Sequence, residues 1–187
     1  AAGAVAVLLT LGYPLEPALR AVERFAGTVR RFELHGVERG VSVYDDYAHH
    51  PTEVAAQLRA ARAVAGEGRL VVAFQPHLYS RTQEFAEGFG AALGLADDVV
   101  VMDVYGARED PVPGVTGAMV ADAVPLPADR VLFEPSWSAA GPALAARARP
   151  GDLVMTMGAG DVSMVGPEVL DALRAAEGTG GTDDGAD

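Results

Sequence analysis

Four short apolar, largely β-branched runs, Leu70–Phe74, Val99–Met102, Val131–Phe133 and Leu153–Thr156, alternate with alanine-rich stretches. The intervening stretches have helical character over about 51–65, 81–94, 115–123 and 136–148. Strands that are apolar on both sides must be covered on both sides. Alternating such strands with helices gives a mostly parallel sheet joined by right-handed crossovers. The expected fold is therefore α/β: a doubly wound, mostly parallel sheet with helices on both faces. Several boundaries are marked as well. Pro51 suits a first helical position, His49 or His50 can cap that helix, and Ser80-Arg81-Thr82-Gln83 has the form of a capping box. A last helix is expected over about 167–175.

Upstream of this rhythm, Ala4 to Leu11 reads as a helix stopped by Gly12, and Pro14 opens a second helix ending near Phe25. Arg31 to Val37 and Val41 to Tyr44 alternate in strand fashion around Glu38-Arg39-Gly40, which predicts a hairpin. The chain thus divides into a short helical remnant of another domain (1–28), one α/β domain (29–175) and a Gly/Thr/Asp-rich tail expected to be disordered (176–187). The apolar start lacks the basic flank of a signal peptide and reads as an interior helix of something larger.

Composition narrows the function classes. A net charge of −12 argues against nucleic acid or an anionic membrane as partner, and no apolar run has the roughly 20 residues of a bilayer span. There is no cysteine, which removes disulfides, thiol nucleophiles and thiolate metal sites. All fourteen basic residues are arginine. A lysine-containing phosphate loop and Schiff-base chemistry are thereby excluded from this chain. If it serves an ATP-dependent reaction, another domain must hold the triphosphate.

In an open α/β sheet, ligands bind beyond the carboxyl ends of the strands. The conspicuous polar residues fall there: Asp45 to Pro51, Gln75 to Arg81, Asp103 to Asp110 and Gly158 to Asp161, with three of the four histidines in the first two segments. Each segment alone has an ordinary structural explanation, an Asp-Asp turn or a helix cap among them. Their shared edge is what suggests a site. A carboxylate such as Asp46 suits ribose hydroxyls, Arg31 and Arg81 suit phosphate or carboxylate, and histidines can bind a zwitterion's carboxylate or assist loss of its amine proton. Adjacent histidines in a loop point apart, so His49 and His50 are not expected to share a metal. No serine sits in a nucleophile elbow.

These segments resemble the Mur ligase family. Arg30-Arg31-Phe32-Glu33 is similar to its domain-junction signature. Asp45 to Glu53 (DDYAHHPTE), Phe74 to Thr82 (FQPHLYSRT) and Thr156 to Val162 (TMGAGDV) are similar to segments of its alanine-adding branch. The resemblance covers about residues 1–173. It implies a Rossmann-like amino-acid-binding domain, preceded by the helical end of a central ATP-binding domain, from a bacterial cytoplasmic enzyme of peptidoglycan biosynthesis. The enzyme would use ATP and Mg2+ to couple L-alanine to UDP-N-acetylmuramate. By the same resemblance, Tyr47, His49, His77 and Arg81 would frame the amino acid. Arg31 and Asp46 would meet ATP on closure, and Gly158, Gly160 and Asp161 would line the cleft. No residue is expected to act beyond positioning, and no metal to bind tightly. Leu78 departs from the pattern, since many members have arginine there. A tripeptide-adding relative shares the first motif but not Gln75-Pro76-His77. Two readings outside the family are a stand-alone nucleotide- or metabolite-binding module and a metal-assisted hydrolase using Asp45 or Asp46 with His49.

Overall fold

A computed structural model describes residues 2–25 and 27–176; the tail expected to be disordered lies, from residue 177 on, outside the described residues. Two short helices, α1 (Ala2–Thr10) and α2 (Leu15–Glu23), pack on each other. Strands β1 (Glu33–Glu38) and β2 (Val41–Asp46) form the expected antiparallel hairpin. Its two-residue turn, Arg39-Gly40, has φ of 51° and 75°, the double positive φ that a type I′ turn requires.

The doubly wound part follows: α3 (Pro51–Ala65), β3 (Leu70–Phe74), α4 (Tyr79–Leu93), β4 (Asp98–Val101), α5 (Ala118–Asp122), β5 (Val131–Phe133), α6 (Trp137–Arg147), β6 (Leu153–Met157) and α7 (Val165–Ala175). The six strands lie in the order β1-β2-β6-β3-β4-β5, all parallel from β2 onward. Strand alternation divides the core in two. Leu70, Val72 and Phe74 of β3 pack with Leu153, Met155 and Met157 of β6 on one face, under α3, α4 and α5. Val71, Ala73 and Val154 point the other way, under α6 and α7. Each fully buried side chain of this size contributes roughly 1.5–3 kcal/mol, so the sheet core stabilises whatever its carboxyl edge presents.

Among the boundaries that differ from expectation, three helix ends stand out. Helix α4 begins at Tyr79, two residues early. It has no side-chain cap of its own, because the Ser80 hydroxyl and amide donate to Glu109 at 2.5 and 2.9 Å instead. The expected capping box is therefore absent, and a carboxylate from the loop after β4 takes its place. Helix α5 is shorter than expected because Gly117 N donates to the Asp103 carboxylate at 3.0 Å, holding residues 115–117 in a loop. Helix α2 stops at Glu23, short of Phe25.

Candidate functional site

The connections from β2 and β3 run over one face of the sheet, while β6, between them, continues into α7 on the other. Such a reversal opens a crevice at the carboxyl ends of the strands, and the loops after β2, β3 and β6 are tied together across it. Gly158 N donates to Asp46 O at 3.1 Å and Gln75 N to Met157 O at 3.0 Å. The Gln75 side chain spans the gap, donating to Asp161 at 2.6 Å and accepting from Val162 N at 3.1 Å. The loop after β4 joins through backbone bonds between Tyr105 and both Pro76 and Leu78, each 2.9 Å. Leu78 itself sits at φ 72°, an unusual conformation for a branched side chain that these bonds hold in place.

Along this edge four rings stand in a row. Tyr47 meets His49 edge-on at 5.2 Å between centres, His49 meets His77 at 6.2 Å, and His77 stacks on Tyr105 at 5.7 Å and 17°. Arg30 and Arg31 lie over the Tyr47 ring at 5.0 and 5.3 Å, within cation–π range. Arg81 reaches in from the first turn of α4, with Nη1 3.4 Å from His49 O. Tyr47, His49, His77, Arg81 and Arg31 are thus brought together. His50 turns away to cap α3, accepting from Thr52 N at 3.3 Å and packing on Phe85.

Asp46 departs from its expected role. Its side chain is fully buried, with one oxygen accepting from Phe32 N and the other from Ala48 N, each at 2.8 Å. Rather than facing a ribose, it anchors the turn that carries Arg31. Burial raises its pKa from the ordinary 3.8, outweighing the Ala48 and Phe32 amides and Arg31. Asp45 is buried too, paired with Arg30 at 3.0 Å and accepting from the Thr156 hydroxyl at 2.6 Å. Neither aspartate is therefore available to the metal-assisted hydrolysis reading. No group of three or more His, Asp or Glu among the described residues converges as a metal cage would.

Sequence reasoning passed over three contributors. Arg30 is a structural clamp, reaching Asp45 and donating to Gly158 O at 2.7 Å. Tyr105 extends the row of rings and packs on Gly160, an expected cleft residue where a Cβ would collide with the Gln75 side chain and the Tyr105 ring. Gln75 is the bridge. Only its proximity to Pro76-His77 singled it out in the chain.

The histidines differ electrically. His77 lies partly buried and its Nδ1 has no hydrogen-bond partner among the described residues. Burial, then Arg81 and His49, push its pKa below the ordinary 6.5, so it is neutral at pH 7. His49 Nδ1 lies 3.0 Å from Tyr47 O and 3.4 Å from a Glu53 oxygen, and His49 N donates to that same oxygen at 3.0 Å. Burial opposes the Glu53 charge, but the His49 amide and ring and Arg31 together hold the carboxyl below its usual range.

Comparison with known proteins follows the same outline. Residues 30–160 match the model of the Mur ligase, glutamate ligase domain. The UDP-N-acetylmuramate–L-alanine ligase of Saccharopolyspora erythraea is 63% identical over 181 residues, covering 95% of this chain and 37% of that protein. The same-named protein of Kineococcus radiotolerans is 64% identical over 173 residues, covering 92% and 37%. The chain therefore spans a little over a third of the length of these relatives. Among solved structures, the UDP-N-acetylmuramate-alanine ligase MurC of Thermotoga maritima superposes with a TM-score of 0.71 at 29% identity, covering 92% of this chain and 36% of that one. The MurF ligase of the same organism, solved with ADP, reaches 0.68 at 19% identity, covering 92% and 37%, and attests the fold.

Proposed function

Because this chain belongs to the Mur ligase family, we propose that it is the amino-acid-binding domain of an ATP-dependent ligase joining L-alanine to UDP-N-acetylmuramate in the bacterial cytoplasm. The convergence of Tyr47, His49, His77 and Arg81 on one strand edge carries the reading. The names borne by relatives above 60% identity favour L-alanine over a tripeptide as the acceptor.

In this reading Arg81 takes the alanine carboxylate through its planar fork. His77, neutral and half-enclosed, contributes a hydrogen bond rather than a charge. Arg31, exposed beside Tyr47, reaches the ATP phosphates when the domain closes. Asp46 acts through the turn it anchors; a direct ribose contact would require that turn to move. Gly158, Gly160 and Asp161 form the back of the cleft with Gln75. ATP, magnesium and UDP-N-acetylmuramate are held by other domains of the longer protein, since this chain has no lysine for a phosphate loop. Helices α1 and α2 are the end of the ATP-binding domain, which is why Val7, Leu9, Leu11 and Leu15 are exposed. Closure excludes water from the acyl phosphate made from ATP and the muramate carboxylate.

The test is kinetic. In the full-length ligase, His77→Ala and Arg81→Ala are expected to raise the alanine KM about 10- to 100-fold, the equivalent of one charge-assisted hydrogen bond, with the ATP KM unchanged. A loss of ATP affinity instead would refute this division of the edge. The 187-residue chain alone is expected to show no turnover and to bind ATP with Kd of about 1 mM or weaker; micromolar binding by calorimetry would contradict it.

A further inference from the structure

An amino acid arrives at neutral pH as its ammonium form, which has no lone pair with which to attack an acyl phosphate. Some group near the amine must take a proton, and the two rim histidines are not equivalent for that task. The Tyr47 carbonyl can only accept, so the 3.0 Å contact at His49 Nδ1 requires the proton to be on that nitrogen. The ring's other nitrogen, Nε2, then carries the lone pair, and the side chain is about a quarter exposed at the edge. His77 is arranged differently: its Nδ1 is the enclosed atom, without a partner among the described residues.

Glu53, in the first turn of α3, completes the arrangement. One oxygen accepts from His49 N at 3.0 Å and lies 3.4 Å from Nδ1, so it holds the residue and its ring in place. Of the other charged or titratable groups, Arg81 and His77 stand beside His49, and Arg31 lies near Glu53.

Resting on the ligase reading above, we propose that His49 is the general base of the coupling step and Glu53 its positioning residue. An N–H bond of the alanine ammonium breaks and its proton moves to His49 Nε2. The freed nitrogen pair attacks the acyl-phosphate carbon, and the tetrahedral adduct collapses with loss of phosphate, which leaves with the C–O bonding pair and takes up the second proton that the attacking nitrogen must lose to become the amide. The imidazolium then returns its proton to phosphate or solvent. Among the residues expected only to position substrate, one thus takes part in the chemistry.

Steady-state kinetics of the full-length ligase across pH test this. His49→Asn, whose amide can still donate to Tyr47 O, is expected to lose about 100-fold or more in kcat, with the alanine KM within about 3-fold of wild type. Glu53→Gln is expected to lose about 10-fold and to shift the acid limb of the kcat profile to lower pH, because a base without its carboxylate protonates less readily. A purely structural Glu53 would leave that limb in place and overturn its assignment. An alanine KM raised by His49→Asn with kcat intact would make His49 a binding group and overturn the proposal. Wild-type enzyme that ignores L-alanine would sink the ligase reading itself, an outcome distinct from either variant result.

Discussion

Arg30 shows how much one side chain at this edge holds. It neutralises a fully buried Asp45, donates to Gly158 O across the crevice, and keeps a positive φ of 57° that starts the turn presenting Arg31. Removing one partner of such a pair leaves an uncompensated charge in the interior. Arg30→Ala is therefore expected to destabilise the domain by about 3 kcal/mol, measured by denaturant unfolding. A change below about 1 kcal/mol would mean that Thr156 alone satisfies Asp45. His77 makes a second residue-scale prediction. Its folded-state pKa lies below 6.5, so as pH falls through 6.5 the unfolded chain takes up a proton that the folded chain does not. Stability is lost over that window and levels off below the folded-state value. Thermal unfolding between pH 7 and about 5.5 should show a steeper fall in Tm for wild type than for His77→Asn. Asp46 pulls the opposite way, but from 3.8 upward and in both proteins, so it cancels from the comparison.

At the scale of elements, the chain announced what local rules govern. Pro51 after a capping histidine set the start of α3, and β3 and β5 fall on their apolar runs to the residue. What stayed hidden depends on partners distant in sequence. Glu109 replaces a local cap on α4, Asp103 shortens α5, and Tyr105 enters the row of rings through a one-residue bridge to His77. For the site, the segments and most side chains were legible because they cluster after strands. The burial of Asp46 was not, since nothing in DDYAHH tells which aspartate will be enclosed. The hairpin turn offers an element-scale prediction. Arg39 occupies a left-handed position that asparagine tolerates better, and Asn-Gly is the preferred type I′ pair. Arg39→Asn should raise stability by about 0.5 kcal/mol, seen as a higher Tm with ligand affinity unaltered. A drop would point to a contact made by the arginine side chain.

Over the whole molecule, the candidate site occupies one edge of the sheet, and ion pairs fasten the opposite edge as well. The carboxyl edge carries the rings and the paired loops. The other edge is fastened by Arg69–Asp152 and Arg147–Asp98, each 2.6 Å. Both halves of the core, and the crevice itself, depend on β6, which lies between β2 and β3 and pairs with each over five registered positions. A chain ending after Pro150 lacks that strand, leaving β2 and β3 without a common neighbour. It is expected to show no cooperative thermal transition by circular dichroism; a sharp transition would show that the remaining strands can close on one another.

The central place of β6 also sets an order of events during synthesis. The strand that joins the two earliest parallel strands is the last of the six in chain order, so β2 and β3 are synthesised with apolar edges open until β6 has emerged. A protecting chaperone, or rapid translation of the stretch up to β6, would matter more to this chain than to one whose sheet is laid down in sequence.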